Sequence, residues 1–309
     1  MPELVSLGEC MIELFSEEPM ETASTFQRSF AGDSYNILVA ANRLGTTAGY
    51  ITRLGSDPFA SYLLKSWQDE GIDVSQVRQV DGFNAVHFVA QLPDGDRVFV
   101  YYRKGSAPST MEPSDLDPDY ILSAKVFHAS GIAQAISTNA RATVLRAAQI
   151  AHAGGVPVSY DPNYRHQLWT HEDAREGMEE LLPYVTYMLI SEPSDTEALL
   201  GTSDPFRVVE VLRARGVETV AVKRGANGAV IGIEDEVFEV PTRVRGPVVD
   251  TTGAGDAFNG GFLHGLLNGM NHREAANLGS VTAGLKLRGR GALTAMPRRD
   301  EVFAIFESL

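Results

Sequence analysis

Residues 250–258 read DTTGAGDAF, and this stretch indicates the fold more clearly than any other. A strand-like run at 247–249 precedes it, and apolar residues recur every four positions over 258–266, as in a helix. Glycines at such a junction let the backbone turn tightly and point successive N–H groups at one place. The positive end of the following helix dipole also favours an anion. The stretch therefore predicts a strand–helix junction with an anion site at Gly253, Ala254 and Gly255.

Asp256 is the first side chain after the glycines. Its carboxylate would lie beside a bound phosphate, which is where a base for the acceptor hydroxyl belongs in phosphoryl transfer. We expect the helix dipole to keep Asp256 ionised. A glycine-lined turn whose aspartate only caps the helix would explain GAGD alone. The flanking residues 251–252 and 257–258 favour the functional interpretation. The stretch is not a Walker A loop, because it lacks Gly-Lys-Ser/Thr. It is not a dinucleotide-binding fingerprint either, because Phe258 stands where that pattern has its third glycine.

Composition limits the class of protein. A chain of 309 residues, 44% of them hydrophobic, can form one large α/β domain or two smaller ones. The net charge of −14 argues against nucleic-acid and anionic-membrane partners. The one cysteine, Cys10, excludes an internal disulfide and suits a reducing compartment. Residues 1–15 lack a signal-peptide pattern, and no apolar run approaches the roughly 18 residues that span a membrane. We therefore expect a cytoplasmic protein.

Strand and helix patterns alternate through most of the chain. Predicted main-sheet strands lie at 4–7, 50–54, 126–129, 156–160, 187–190 and 219–223. Predicted helices lie at 33–44, 59–70, 138–153, 171–182, 194–200, 205–215, 254–268, 272–286 and 298–308. Such alternation favours a mainly parallel sheet with helices on both faces. Because no Pro- or Ser-rich linker and no repeat divides the chain, we expect one domain over residues 1–309.

Part of the chain has a different pattern. Strand-like runs at 85–92 and 97–103 are joined by Pro-Asp-Gly-Asp at 93–96, a hairpin turn signal. With strand candidates at 11–15 and 26–30, they can form a small separate sheet. Its strands are rich in Val, Phe and Tyr, and a small sheet of this kind is marginal alone. Pairing two such sheets across a two-fold axis would cover their faces and edges, so we expect at least a dimer.

DTTGAGDAF resembles the C-terminal signature of the ribokinase-like (PfkB) family of sugar kinases, and the resemblance covers essentially the whole chain. It implies an α/β fold, a three-layer αβα sandwich with a mainly parallel central sheet. It also implies a small β-sheet lid over the sugar site, formed by about 10–32 and 85–105. ATP and Mg²⁺ would be the cofactors. Asp256 would be the base that deprotonates the sugar hydroxyl, and Gly253, Ala254 and Gly255 the anion hole.

Residues 31–36 read AGDSYN and resemble the family's N-terminal signature, with Ala31 in place of the first glycine. The resemblance implies that Gly32 lets the sugar approach the backbone and that Asn36 bonds a hydroxyl. A turn with a helix cap would explain the same residues. Residues 191–195 read SEPSD where the family has Asn-x-x-Glu, which implies a water-mediated contact of Asp195 with Mg²⁺. Ser194 capping the next helix is an equally good explanation.

Residues 223–229 read KRGANGA and resemble the family's Lys-x-Gly-x-x-Gly segment at the nucleotide phosphates, although a glycine hairpin would give the same pattern. Asn277 resembles a position in the family's nucleotide pocket. The residues that the resemblance assigns to the nucleotide are Ser191, Lys223, Gly225, Gly228, Thr252, Gly253, Gly255 and Asn277.

Two further segments narrow the substrate, YYRKGSA at 101–107 and DPNYR at 161–165. The planar fork of arginine suits a carboxylate. Arg103 could instead be a solvated strand-end charge, and Arg165 could pair with an aspartate at the sheet edge. Together the segments resemble the 2-keto-3-deoxygluconate kinase branch of the family. The substrate-binding residues that this implies are Gly32, Asn36, His87, Tyr101, Arg103, Ile132, Arg165 and Asp256.

The implied reaction is transfer of a phosphoryl group from ATP to the terminal 6-hydroxyl of 2-keto-3-deoxygluconate, a small sugar acid. His87 stands where a sugar-contacting Tyr is expected, and Arg290 stands where an acidic contact is plausible. The alternatives are a fructokinase, a 5-keto-2-deoxygluconokinase, or a non-catalytic sugar-binding protein on the same fold.

Overall fold

The computed structural model describes residues 1–92, 97–234, 236–244 and 246–309, with only the backbone of Arg97. The hairpin turn predicted at 93–96 lies outside the described residues. The strands are β1 (Leu4–Leu7), β2 (Met11–Ser16), β3 (Gln27–Ala31), β4 (Ala48–Leu54), β5 (Val77–Gln79), β6 (Val86–Gln91), β7 (Arg97–Tyr102), β8 (Val126–Ser130), β9 (Val158–Asp161), β10 (Tyr187–Ser191), β11 (Thr219–Lys223), β12 (Ala229–Ile233) and β13 (Glu236–Val240).

The helices begin and end close to the predicted positions. They are α1 (Asp33–Leu44), α2 (Ala60–Asp69), α3 (Pro118–Leu122), α4 (Gly131–Ala135), α5 (Thr138–Ala153), α6 (His171–Leu181), α7 (Ser194–Leu200), α8 (Pro205–Arg213), α9 (Ala254–Leu267), α10 (His272–Lys286) and α11 (Arg299–Phe306). The sequence analysis did not predict β5, α3 or α4. These are short elements, of three and five residues, in which a periodic pattern has little room to appear.

The large sheet has nine strands in the order β13-β12-β11-β10-β9-β8-β1-β4-β5. Its strands run parallel from β11 to β5, and β12 and β13 are antiparallel. Alternate residues of each strand enter different cores. Leu189 belongs to the core that contains α1 and α9, whereas Met188 and Ile190 belong to the one that contains α5 and α6. The predicted αβα sandwich with a mainly parallel sheet is therefore confirmed.

Glycines let α9 pack closely between α1 and α10. A Cβ on Gly260 would lie 2.4 Å from the Cβ of Ala40 in α1, and one on Gly261 would lie 2.6 Å from Oγ1 of Thr282 in α10. Only glycine permits such close approach of helix backbones. Since α9 begins at the glycine loop, this packing fixes the loop relative to α1.

The small sheet has four strands in the order β3-β2-β6-β7 and lies within the predicted lid ranges. Strand β2 pairs antiparallel with β3 and parallel with β6, and β7 is an edge strand. Several large apolar side chains of β7 are exposed, among them Phe99 at 40% and Tyr102 at 62%. The separate small sheet is thus present, while its role as a lid and the single domain over 1–309 stay predictions.

The strand predicted at 247–249 is wrong. The N–H of Val249 donates to the carbonyl of Leu287, just after α10, at 2.7 Å, and that of Asp250 donates to the same carbonyl at 3.3 Å. The segment therefore runs past the end of a helix. Val248 and Val249 are 55% and 43% exposed, so their apolar character does not reflect burial in a sheet.

Candidate active site

The glycine loop at 253–255 is held by the residues that precede it. Gly253 has a left-handed backbone, with φ of 77°, and a Cβ there would lie 2.8 Å from the Cβ of Ala292. The carboxylate of Asp250 accepts the N–H of Thr252 at 2.9 Å and that of Gly291 at 2.8 Å. Burial opposes the ionisation of Asp250, yet the Thr252 N–H and the charge of Lys286 lower its pKa to about 2. A permanently charged carboxylate thus anchors the loop.

Asp256 lies in the first turn of α9 and is 7% exposed. Its Oδ2 accepts a hydrogen bond from Nδ2 of Asn36 in α1 at 2.7 Å. Burial, followed by the charge of Asp33, raises the pKa of Asp256 to about 7, although Asn36 and Lys223 act in the opposite direction. The carboxyl is therefore about half protonated at pH 7. The expectation that the helix dipole keeps it ionised is wrong at neutral pH, because desolvation outweighs the dipole.

Asp256 adjoins residues that line two different cavities. One, of about 510 Å³, includes Gly255, the neighbour of Asp256 in the chain. The other, of about 680 Å³, includes Gly32 and Asp33, next to the Asn36 that bonds Asp256. A carboxylate next to residues of both cavities can take a proton from a molecule in one while a second molecule in the other gives a group.

The first cavity combines glycines with an apolar wall. It is lined by the predicted nucleotide-binding residues Ser191, Lys223, Gly225, Gly228 and Gly255, by Ala254 of the predicted anion hole, and by the apolar Val248, Phe258 and Leu287. Glycine backbone and an ammonium suit phosphates, and the apolar wall suits a flat base. The residues present therefore fit a nucleotide. Thr252 lies on a different, smaller cavity, and Gly253 is the helix N-cap.

The structure does not bring Asn277 to the wall of this cavity. Its Oδ1 accepts from Nη2 of Arg243 at 2.9 Å, and its Nδ2 donates to the carbonyl of Arg273 at 2.9 Å. The amide therefore bonds the backbone of α10 and the side chain of Arg243. Arg243 lies between the cavity residues Thr242 and Val244.

The second cavity brings together Gly32, Tyr101, Arg103, Ile132 and Arg165, as the sequence predicts for a sugar site. Nη1 of Arg165 donates to the carbonyl of Tyr164 at 2.9 Å. The guanidinium carbon of Arg103 lies 5.7 Å from the ring centroid of Tyr101. Neither arginine pairs with Asp161. That carboxylate instead accepts a hydrogen bond from Nζ of Lys223 at 2.6 Å.

Glu9 is a cavity residue that the sequence analysis missed. Nη2 of Arg103 donates to its Oε1, and its Oε2 is buried without a hydrogen-bond partner among the described residues. The Arg103 side chain is 12% exposed, so it is not a solvated strand-end charge. Burial raises the pKa of Glu9, and Arg103 acts against that rise. The available signal was a carboxylate within the apolar run at 7–12.

His87 and Arg290 lie elsewhere. Nε2 of His87 lies 2.9 Å from Oε2 of Glu13, and its ring stacks on that of Tyr101 with centroids 5.7 Å apart. His87 therefore supports a cavity residue from behind instead of lining the cavity itself. Arg290 pairs with Glu17 at 2.5 Å and lines a smaller cavity, of about 190 Å³, under the small sheet.

Asp195 is fully buried, and its two oxygens accept the N–H groups of Tyr164 and Ser191, both at 2.9 Å. Burial, with the nearby charge of Asp161, raises its pKa to about 6. Glu192 lines the nucleotide-type cavity, and its Oε2 is buried without a partner in the described part of the chain. Over residues 1–92, 97–234, 236–244 and 246–309, no group of three His, Cys, Asp or Glu is placed to hold a metal ion directly.

The comparisons with known proteins agree with this geometry. A model of the pfkB family of carbohydrate kinases matches residues 1–299. The chain is 33% identical to the 2-dehydro-3-deoxygluconokinase of Thermoproteus tenax, over 100% of this chain and 95% of that protein. A solved PfkB protein from Polaromonas sp. JS666 is 32% identical, with a TM-score of 0.89 over 98% of this chain and 100% of that one.

A second solved structure, described as a ribokinase II from E. coli in complex with ATP and Mg²⁺, has a TM-score of 0.92 over 100% of both chains. At 24% identity it shows the fold alone. Within the described ranges, the helices are too short or too polar to cross a membrane.

Proposed function

Because the chain belongs to the pfkB family of carbohydrate kinases, we propose that it transfers a phosphoryl group from ATP to the 6-hydroxyl of 2-keto-3-deoxygluconate, also called 2-dehydro-3-deoxygluconate. The observation that carries the proposal is the position of Asp256, which is buried next to Gly255 of the glycine-lined cavity and bonds Asn36, in the same helix as Asp33 of the cavity with two arginines. The likeness to the Thermoproteus tenax enzyme supports the choice of substrate.

In this reaction Asp256 accepts the proton of the 6-hydroxyl, whose oxygen then attacks the transferred phosphorus. Asn36 supports the role, since its bond to Oδ2 of Asp256 at 2.7 Å holds the carboxylate in one orientation. The N–H groups of Gly253 and Gly255, at the N-terminus of α9, stabilise the negative charge on the phosphoryl oxygens, whereas the N–H of Ala254 donates to the carbonyl of Thr251 at 3.1 Å and holds the loop. Chemistry of this kind depends on position and electrostatics more than on covalent steps by the protein.

ATP binds in the cavity of about 510 Å³, with its phosphates toward Gly225, Gly228 and Gly255 and its base against Val248 and Leu287. Mg²⁺, when bound, neutralises charge on the phosphates and is held largely through water. Asp195 would order that water only weakly, because both its oxygens accept backbone N–H groups. Glu192, with a buried oxygen free of partners among the described residues, is the better placed of the two.

The substrate carboxylate binds at the arginines. Arg103 is partly neutralised by Glu9, whereas the described contact of Arg165 is with the carbonyl of Tyr164. Arg165 is therefore the main partner of the carboxylate, and Arg103 contributes through the donors that Glu9 leaves open. Tyr101, Ile132 and Gly32 complete the wall of the sugar cavity.

The test is ATP turnover with a panel of sugars and sugar acids. A hydrogen bond to a charged group is worth about 1.5–3 kcal/mol. One or two such contacts give 2-keto-3-deoxygluconate an advantage of about 10²–10⁴ in kcat/KM over the neutral sugar fructose. Equal turnover of fructose would refute the carboxylate assignment and favour a fructokinase. Faster turnover of 5-keto-2-deoxygluconate would shift the assignment to that sugar acid. Sugar binding with no turnover of ATP would indicate a non-catalytic binding protein.

We also propose that two copies pair through their small sheets. The exposed apolar side chains of the edge strand β7, such as Phe99 and Tyr102, support a partner at this edge. The expected result is a dimer or larger assembly by light scattering at micromolar concentration, and a monomeric mass would contradict it. A cytoplasmic location stays a prediction.

A further inference from the structure

Lys223, at the end of β11, is a buried cation that pairs with Asp161 and also lies near the charges of Asp195 and Asp256. A Cβ built on Gly255 would lie 3.6 Å from its Nζ, so the ammonium lies at the N-terminus of α9. A helix N-terminus carries positive partial charge and disfavours a cation. A buried ion pair also adds little net stability over an apolar replacement. Stability of the fold therefore does not explain why a cation is placed here.

Asp161 fixes the ammonium from across the sheet. It ends β9, and β10 lies between β9 and β11. Its Oδ2 accepts from Nζ of Lys223 at 2.6 Å and from Nδ2 of Asn259, one turn after Asp256 in α9, also at 2.6 Å. Its Oδ1 accepts the N–H of Asn163 at 3.0 Å. The carboxylate is thus tied to both the sheet and α9, and the ammonium has a set position relative to the anion loop.

We propose that Lys223 is a catalytic residue that donates hydrogen bonds to the transferring phosphoryl group, and that Asp161, with Asn259, is the positioning residue for its ammonium. The inference rests on the proposed function. An ammonium has three N–H donors, and Asp161 uses one, which leaves donors for phosphoryl oxygens at Gly255. These oxygens carry the charge of the transition state.

The ammonium itself forms and breaks no covalent bond. The bond between the γ-phosphorus and the oxygen of the departing diphosphate breaks, the bond to the sugar oxygen forms, and the hydroxyl proton passes to Asp256. A phosphoryl anion at Gly255 also offsets the repulsion between the Lys223 ammonium and the positive end of the helix dipole.

The main test is the double variant Lys223→Met/Asp161→Asn. Lys223→Met alone leaves a buried carboxylate unpaired and can fail to fold. The double variant removes both charges, and the amide introduced by Asp161→Asn can accept the N–H of Asn163 through its oxygen and donate to Oδ1 of Asn259 after that side-chain amide turns over. We expect a folded protein with an unfolding midpoint close to that of the wild type and a kcat lower by about 10²–10³-fold. The matched control is Lys65→Met/Asp69→Asn, an exposed pair at 2.8 Å on α2, which should leave kcat unchanged.

Calorimetric binding gives a readout that does not depend on turnover. If Lys223 contacts the terminal phosphoryl group, the double variant should lose about 10–100-fold in its preference for a non-hydrolysable ATP analogue over ADP. A folded double variant that keeps both its kcat and this preference would overturn the proposal. A wild type that phosphorylates no sugar would refute the proposed function, whereas a lost preference for the triphosphate would still support the contact of Lys223.

The pH dependence of kcat/KM tests the charges of Asp161 and Lys223 one at a time. Asp256 faces Asp33 of α1, Asp161 of β9 and Lys223 of β11, and Asn36 donates a hydrogen bond to it. Asp161→Asn removes a negative charge and should move the rising limb of the kcat/KM profile to lower pH. Lys223→Met, if folded, should move it to higher pH. No shift in either variant would mean that these two charges do not act on Asp256, and this result would contradict the proposed placement.

Discussion

Asp256→Asn should make the protein more stable while it abolishes most of the activity. The carboxyl of Asp256 has its pKa raised from an ordinary 3.8 to about 7, mainly by burial and secondly by the charge of Asp33. A group whose pKa is raised on folding contributes stability that is complete below its unfolded pKa and is lost as the pH rises to the folded pKa. Wild-type stability should therefore fall between about pH 4 and pH 7.

The size of the effect follows from the pKa values. At about 1.4 kcal/mol per pH unit, ionising the buried carboxyl costs about 4 kcal/mol of stability above pH 7. The asparagine side chain of the variant has the same shape as that of Asp256, carries no charge, and can accept from Asn36 through its Oδ1. The gain of the variant over the wild type should therefore grow by about 2 kcal/mol between pH 5.5 and pH 8.

The assay is unfolding of the ligand-free protein in urea and by heat at pH 5.5 and pH 8. Unfolding entropy is about 2 cal/mol/K per residue, so for a chain of 309 residues 2 kcal/mol corresponds to about 3 °C in Tm. The exposed Asp81→Asn is the matched control and should show no pH-dependent gain. The same Asp256→Asn protein should lose about 10²–10⁴-fold in kcat and still bind nucleotide and sugar.

Two results would refute this reasoning. A stability difference that is equal at both pH values would mean that Asp256 is ionised at an ordinary pKa in the folded protein. A kcat close to that of the wild type would mean that Asp256 is not the base. If both expected results are found, Asp256 lowers the stability of the fold and is present because the reaction needs its carboxylate.

Three further predictions follow from the site. The kcat/KM of the wild type should rise with pH through about 7, because it reports loss of the proton from Asp256 in the free enzyme, and a flat profile from pH 6 to 8 would contradict this. Arg165→Ala should lower kcat/KM for 2-keto-3-deoxygluconate by about 10²-fold or more and leave fructose unaffected, as measured with both sugars; an equal loss for both would argue against a carboxylate contact. Gly253→Ala should cost about 1–3 kcal/mol in urea unfolding and lower kcat, because φ is 77° and the new Cβ would lie 2.8 Å from that of Ala292; an unchanged kcat would mean that the loop geometry is not catalytic.

The sequence predicted the parts of the fold that depend on local pattern. A helix was predicted over 33–44, and α1 ends there because Gly45 takes a left-handed backbone and its N–H donates to the carbonyls of Ala41 and Asn42. The glycine loop was predicted to begin a helix, and α9 begins at Ala254. The failed strand at 247–249 had the same local pattern as a true strand. Its backbone partner, Leu287, is set by where α10 ends, which periodicity near residue 248 does not reveal.

Most of the site depends on pairs that are distant in the chain. Glu9 and Arg103 are 94 residues apart, and Asn36 and Asp256 are 220 apart. Sequence alone suggested an arginine for the substrate and could not show that a carboxylate already contacts it. In the same way Lys223 could be assigned to a nucleotide segment, but its partner Asp161 follows only from the strand order that places β9 and β11 on either side of β10.

The order of charges along the site determines which way round a substrate can bind. Arg103, Arg165 and Asp33 line the proposed sugar cavity, and Asp256 bonds Asn36 and adjoins Gly255 of the proposed nucleotide cavity. A molecule with a carboxylate at one end and a hydroxyl at the other gains hydrogen bonds with the carboxylate at the arginines and the hydroxyl at Asp256. In the reverse orientation its carboxylate would face Asp33 and Asp256, where like charges repel. With the proposed function, the arrangement favours phosphorylation at the end of the molecule opposite its carboxylate, although the chain as a whole carries a charge of −14.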